Sequence, residues 1–359
     1  MRAAVVFEAG SSFEVHDIER RDPSDQEVVV RIRAAGLCQS DISLSQGAFG
    51  QAFPVVLGHE GAGEIAEVGR AVAGWSVGDR VLVNWVPPCD RCYACVRGET
   101  YICRNRVRAG ERSAGETLFL DGKPLGVGMG TATFAEETIL TPQALVALPD
   151  DVPFEVAALM GCALPTGMGA ALRTGEVAAG DTVVVVGCGT IGLSAIQGAR
   201  VAGASVIVGL DPTPARREAA LRLGATSAVA PDELSRGSLP EGVDAGGFDV
   251  GIDAVARAQT IRATWDLVRR GGRVVVVGAG RDEPVEFSAQ ELFHDQKTMR
   301  GSYFGSGDQR REVPRMSDLW RTGRIEIEGM IEARVGLDEI ADVAARQARG
   351  EIVRAVVLP

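Results

Sequence analysis

Histidine is nearly absent from this chain of 359 residues, with three occurrences, and cysteine is sparse, with seven. Long apolar runs are missing altogether. No stretch of about 18 uninterrupted apolar residues exists, which excludes a hydrophobic helix that spans a bilayer. The opening "MRAAVVFEAG" has no basic segment followed by an apolar core, so it does not read as a signal peptide. A basic field is missing too. Lys and Arg number 37 against 48 Asp and Glu, a net charge of −11, so neither a nucleic-acid partner nor an anionic membrane surface is expected. There is no internal repeat, low-complexity tract or long linker. Without an export signal, the expected setting is cytoplasmic and reducing, where clustered cysteines serve as metal ligands more often than as disulfides.

What is present falls into two textures, and the length fits two domains. Residues 1 to about 160 carry many glycines and short β-branched runs such as "EVVVRIRAAGLC", "GAGEIAEVG" and "GDRVLVNW". This predicts a mostly antiparallel β region. Beyond it, unbroken apolar runs at 182–187, 204–210, 248–255 and 272–280 alternate with helical stretches, the pattern of a parallel sheet covered on both faces. The tail from about Tyr303 returns to a mixed pattern, so the second domain is inserted into the first. The fold class expected is α/β, with a β-rich domain over 1–163 and 304–359 and a doubly wound parallel-sheet domain over 164–303.

Within the parallel part, "VVVVGCGTIG" places Gly187, Gly189 and Gly192 as G-x-G-x-x-G after a strand and at the mouth of a helix. One glycine serves the sharp turn, one the approach of backbone to a pyrophosphate, and one the contact of helix with sheet. The helix start offers free N–H groups to phosphate. Asp211 ends the next strand, where a carboxylate accepts hydrogen bonds from an adenosine ribose and repels a 2′-phosphate. NAD is therefore favoured over NADP, a preference softened by the nearby Arg216 and Arg217.

Four of the cysteines, Cys89, Cys92, Cys95 and Cys103, stand as C-x2-C-x2-C-x7-C. Four thiolates from one short lobe suit a closed, structural zinc. An iron–sulfur cluster is the main rival, disfavoured by the long last spacing and by the lack of a proline after Cys103. A second, dispersed group comprises Cys38 in "GLCQSD", His59 and Glu60 in "GHEGAG", and Cys162 in "MGCALPTG". Cys38, His59 and Cys162 make a Cys2His set with one position open to water or substrate. His16 and His294 have no partners at metal-ligand spacing and are expected at the surface, and Cys188 is a small residue that fits the glycine loop.

These motifs in this order, with "GEIVRAVVLP" at the end, resemble the zinc-dependent alcohol dehydrogenases of the medium-chain dehydrogenase/reductase superfamily. The resemblance runs over essentially the whole chain. It implies a GroES-like catalytic domain, a Rossmann domain, NAD, and two zinc ions per subunit, one catalytic and one structural. It further implies that Cys38, His59 and Cys162 hold the catalytic zinc, that Asp41 orients the histidine, that Glu60 stands behind the metal, and that Ser40 takes the alcohol's proton. Thr166, Thr190, Ile191 and Arg354 join the glycines and Asp211 as cofactor contacts, Arg354 at the pyrophosphate. Two positions depart from the family's pattern: Ser43 stands where a relay histidine is common, and Gln39 where an arginine often binds pyrophosphate.

By alignment to family positions, Trp85, Ile102, Met129 and Tyr303 would wall the substrate pocket, with Gly128 and Ala279 leaving room. That favours medium-sized or aromatic primary alcohols, oxidised to the aldehyde. The alternative is a biosynthetic NAD(P)H-dependent reductase of an aldehyde, enone or iminium on the same scaffold. A non-enzymatic, cofactor-binding role is disfavoured by the intact ligand sets. The length after Cys103, including the basic run at 104–112, resembles dimeric members. A homodimer is expected, with a tetramer as alternative, pairing through the strands from "GGRVVVVGAG" onward.

Overall fold

The computed structural model describes residues 1–105, 116–234, 238–280 and 283–359. Most of the basic run at 104–112 lies outside the described residues. The chain divides into two compact units. The first comprises Met1–Cys162, Asp308–Arg321 and Ile327–Pro359, and the second Ala163–Gly307 and Thr322–Glu326.

In the first unit, short β-branched runs pair almost wholly antiparallel. The central strand Val28–Leu37 is flanked by Glu60–Val68 on one side and Ala355–Leu358 on the other. Val28, Val30, Ile32, Leu37, Ile65, Val81 and Val83 are buried in one core cluster, as the alternation of a sheet with one packed face requires. Pairing sets Gly36 opposite Glu60 and Leu37 opposite Ala355. That register brings the ends of three strands together, and with them Cys38, His59, Glu60 and Arg354. The helix Phe154–Met160, buried from Val156 to Met160, delivers Cys162.

The second unit holds a six-stranded sheet whose strands are all parallel. Numbered in chain order from Thr182–Val186 to Thr298–Gly301, the strands lie 3-2-1-4-5-6, so the order reverses between Thr182–Val186 and Phe248–Asp253. Thr182–Val186 is buried at every position. Valine's restricted χ1 and apolar bulk suit a strand covered on both faces. The crevice at such a reversal, outside the carboxyl ends of the strands, is where doubly wound sheets bind ligands.

Two expectations need correction here. Val268–Val276 is an interior strand, bonded on both sides, so of the described strands from "GGRVVVVGAG" onward Thr298–Gly301 is the one at an edge, Ser227–Val229 forming the other edge of the sheet. His16 is half-buried rather than exposed, because its ring packs edge-to-face on Phe7 at 5.2 Å, whereas His294 is exposed. No single helix among the described residues is long and apolar enough to cross a membrane.

Candidate metal and dinucleotide sites

The first site lies at the strand ends of the first unit. Cys38, His59, Glu60 and Cys162 are all buried, and one ligand atom from each lies within 4.8 Å of the others. Cys38 is the N-cap of the helix Gln39–Ser45, so Asp41 in its first turn faces back toward the chain entering it. Asp41 Oδ2 accepts from Cys38 N at 3.0 Å, and Oδ1 accepts from Gly58 N at 3.2 Å and from His59 Nδ1 at 2.9 Å. With Nδ1 carrying the proton to Asp41, the Nε2 lone pair faces the sulfurs. Nε2 is buried without a hydrogen-bond partner, a cost the fold sustains where a ligand completes the site.

The electrostatics point the same way. Burial disfavours a charged His59 ring, but the Asp41 carboxylate and Cys38 together outweigh it and push the ring up to about 10, so the cage favours a positive charge at the Nε2 position, the place a metal ion would take. The hydrogen bond from Cys162, with smaller help from His59 and Arg354, holds Cys38 well below the usual thiol range. A buried cage that stabilises thiolate and demands a positive charge beside it fits a divalent cation with soft and imidazole ligands. Zinc fits on every count of this donor set.

Glu60 is fully buried and forms an ion pair with Arg354, itself 1% exposed, whose Nη1 donates to Leu37 O at 2.8 Å. Arg354, expected at the pyrophosphate, is thus engaged by the acid behind the metal set. Gly36 makes room for this pair: a Cβ there would lie 2.2 Å from Glu60 Oε2. Sequence distance hid the pair, since nothing at position 60 signals a partner near the carboxyl end. Ser40 is adjacent, its Oγ 3.8 Å from Cys38 Sγ.

Cys89, Cys92, Cys95 and Cys103 likewise converge to within 4.8 Å. Cys89 Sγ accepts from Cys92 N and from Asn105 Nδ2, both at 3.3 Å, and Cys92 and Cys103 sulfurs are 3.9 Å apart. N–H groups aimed at sulfur stabilise thiolate, and backbone hydrogen bonds, that of Cys95 foremost, bring Cys92 down to about 6. All seven cysteines are free of disulfides. Four convergent sulfurs are the donor set of a structural zinc. A feature no local signal announced clasps this lobe. Arg310 Nη1 and Nη2 bond both oxygens of Asp90, between the first two cysteines, at 3.0 and 2.9 Å, while Asp308 holds the same guanidinium at 2.8 Å.

The second unit carries the glycine motif. Gly187 turns the chain at φ +87°, directly after Thr182–Val186. Gly192 is packed so tightly that a Cβ would lie 1.7 Å from Gly187 O, whereas around Gly189 nothing lies within 4 Å. The open glycine is the one whose missing side chain serves a bound group rather than the protein, as a pyrophosphate cradle requires. Thr190 and Ile191 form the first turn of the helix Thr190–Ala202. Thr166, on the helix Ala163–Gly169 that packs against it through Gly167, has its Oγ1 buried without a partner. Asp211 is 2% exposed; Oδ2 accepts from Cys188 N at 2.9 Å and Oδ1 from Thr213 N at 2.8 Å, with Arg216 3.9 Å away. A cavity of about 790 Å³ opens over Gly187, Gly189, Asp211, Arg216 and Val255. The residues present fit a dinucleotide.

Of the residues expected around the substrate, Trp85 stands edge-to-face with the His59 ring at 5.6 Å, and Trp85 and Met129 together line a cavity of about 150 Å³. Ile102 is 43% exposed. Gly128 does not leave room: a Cβ there would meet Leu57 Cδ2 at 2.7 Å and Val56 O at 2.9 Å, so protein already fills that space. Ala279 and Tyr303 belong to the second unit, and both are exposed.

A Cys2His set with a buried acid, a four-sulfur lobe and a dinucleotide cradle define a zinc-dependent, nicotinamide-linked oxidoreductase. Comparison with known proteins makes this specific. The family model for the alcohol dehydrogenase GroES-like domain matches residues 24–150, and that for zinc-binding dehydrogenase matches residues 190–321. The chain is 34% identical over 373 residues to the class-3 alcohol dehydrogenase of Cereibacter sphaeroides, covering 99% of each. It is 32% identical over 364 residues to the NDMA-dependent alcohol dehydrogenase of Amycolatopsis methanolica, covering 99% of this chain and 98% of that one. Among solved structures, the benzyl alcohol dehydrogenase of Acinetobacter calcoaceticus superposes with a TM-score of 0.93 at 27% identity, over 99% of this chain and 98% of that chain. The chain belongs to the zinc-dependent alcohol dehydrogenase family of the medium-chain dehydrogenase/reductases. It is an alcohol dehydrogenase-type oxidoreductase using NAD and two zinc ions.

Proposed function

We propose that the enzyme oxidises medium-sized or aromatic primary alcohols to aldehydes. The observation that carries this is Trp85, whose ring stands beside His59 and lines the cavity of about 150 Å³ with Met129, Ile139 and Leu140. Glu27, Asn84, Thr117, Thr131 and Thr141 also line it, so its wall is mixed and Trp85 supplies the aromatic side. Similarity to a benzyl alcohol dehydrogenase supports the same class of substrate.

Cys38, His59 and Cys162 hold the catalytic zinc, and Cys89, Cys92, Cys95 and Cys103 the structural one. Bound zinc supplies Lewis acidity that lowers the pKa of an alcohol hydroxyl, and bound NAD supplies the hydride acceptor. Asp41 fixes the His59 tautomer through the Nδ1 bond, so Nε2 is presented as a lone pair. Ser40 Oγ, beside Cys38, relays the proton that leaves the substrate hydroxyl, taking it while passing its own hydroxyl proton on to water. Ser43, half-buried on the same helix, carries no group that titrates near neutrality, so the proton departs through Ser40 and water. Trp85 and Met129 exclude water around the substrate's apolar part.

NADH formation at high pH, across alcohols from ethanol through hexanol to benzyl and cinnamyl alcohol, tests this reading. kcat/KM rising with substrate size is expected. Values for ethanol equal to or above those for benzyl alcohol would refute the pocket assignment. Silence across the panel from zinc-loaded protein that binds NADH would favour the reductive reading, on an aldehyde, enone or iminium. The subunit acts as a homodimer, supported by the edge strand Thr298–Gly301 with Met299 exposed and by Phe293 exposed on the preceding helix. Light scattering that returns a monomer mass would refute that.

A further inference from the structure

Asp253 is a buried acid with no part in the chemistry above. It ends the strand Phe248–Asp253 and is 0% exposed. With Thr182–Val186, this strand flanks the point where the strand order reverses. Oδ1 accepts from Val255 N at 2.8 Å and from Ala256 N at 2.5 Å, and the Thr260 and Thr264 side chains stand beside the carboxylate. Burial pushes the carboxyl up from its ordinary range against the pull of the Thr260 hydroxyl first, then of those backbone bonds and of Thr264. A group kept in so costly a place is held there by what it does for the backbone.

The turn it grips is unusual. Ala256 has φ +57°, a left-handed conformation that a residue with a Cβ adopts only when its surroundings impose it. The turn is tied to both neighbouring strands: Ala254 N donates to Val186 O at 2.9 Å, and Val277 N donates to Asp253 O at 2.9 Å. It is also wedged between glycines. A Cβ on Gly187 would lie 2.6 Å from Val255 Cγ2, one on Gly278 would lie 2.9 Å from Ala256 Cβ, and one on Gly280 would lie 2.5 Å from Ala256 O. The turn therefore presses on the first glycine of the phosphate cradle and on the glycines after the next strand. Val255, 40% exposed, faces the cavity that Gly187, Gly189 and Asp211 line.

We propose that Asp253 is a positioning residue for the dinucleotide: its single oxygen holds Val255 and Ala256 in the left-handed turn that sets the wall of the cofactor cavity and braces Gly187. The role is that of a hydrogen-bond acceptor, not of a charge. It rests on the assignment of that cavity to NAD.

The test is NADH titration of the full-length protein by fluorescence, with thermal unfolding measured on the same samples and steady-state KM for NAD and kcat alongside. Asp253→Ala raises the Kd for NADH about tenfold, as expected when pre-organisation worth about one hydrogen bond is lost. KM for NAD rises with it, while kcat at saturating NAD stays near the parent's. Asp253→Asn, which keeps an acceptor oxygen, retains Kd close to the parent value. A folded Asp253→Ala protein that melts earlier yet binds NADH like the parent would reduce the residue to a structural one and overturn the proposal. Asp253→Asn binding as poorly as Asp253→Ala would overturn the acceptor role. Should Asp253→Ala not fold, Asp253→Ser, with one hydroxyl for two N–H groups, gives an intermediate Kd, and an unchanged Kd in that variant overturns the proposal equally. A parent that does not bind NADH removes the cofactor assignment itself, a failure separate from that of the variants.

Discussion

Replacing Asp41 by Asn is the most informative single perturbation of the metal site. The carboxylate is fully buried and accepts three hydrogen bonds, from Cys38 N, Gly58 N and His59 Nδ1. Asparagine keeps an oxygen for Gly58 and His59, but its amide NH2 then confronts Cys38 N–H across the former 3.0 Å contact. Two donors facing each other leave a buried group unpaired, at about 1–3 kcal/mol. Loss of the negative charge also makes His59 a poorer ligand, and changing such a supporting group costs about 10–100-fold in metal affinity. With about 2–4 °C of Tm per kcal/mol for a domain of about 150–250 residues, the variant is expected to melt several degrees lower. Zinc transfer to a chromophoric chelator, followed in time, separates the two ions. The catalytic one should leave faster than in the parent, while the four-cysteine lobe keeps its own. An Asp41→Asn protein that releases both ions at the parent's rates and melts at the parent's temperature would refute the argument that Asp41 sets the His59 tautomer.

Cys95→Ala should lower zinc content from two to one per subunit and reduce Tm, since binding at a structural site is folding free energy; unchanged zinc content by elemental analysis would contradict the lobe's role. Gly192→Ala forces a Cβ to within 1.7 Å of Gly187 O, so NADH binding should be lost or the protein recovered as aggregate, and wild-type Kd would show the contact relaxes without consequence. Glu27 bonds Arg21 at 2.8 Å through both oxygens, and that hydrogen bond brings its carboxyl down to about 2. A folded value below the unfolded one adds stability that is present above about pH 4.5 and lost as pH falls toward 2. Screening by solvent keeps it below about 1 kcal/mol. The Tm difference between the parent and Glu27→Gln should therefore be largest near neutrality and vanish in acid, and a pH-independent difference would exclude the linkage.

The parallel sheet was legible because a strand covered on both faces is written as a continuous run such as Thr182–Val186, and the dinucleotide cradle because its three glycines meet local demands. The four-cysteine lobe could be read for the same reason, its sulfurs falling within one short stretch of chain. The edge of the sheet could not be read, because Thr298–Gly301, four residues with one large apolar side chain, carries too little strand pattern to announce itself, and only the ladder shows it lying outside Val268–Val276. Gly128 shows the same limit: a small residue signals that space is needed, and only the surrounding atoms show that Leu57 occupies it.

By itself the sequence determined the two textures of the chain, the glycine cradle with its acid, and the residue types able to bind zinc, all of which depend on near neighbours and side-chain chemistry. Tertiary structure alone decided that Arg354 pairs with Glu60, that Arg310 clasps Asp90, and that Asp253 holds a left-handed turn against Gly187. Charges and hydrogen-bonding groups act over a few ångströms of space, whatever the length of chain between them. Strand register, set by the burial of whole faces, is what brings such groups within that range.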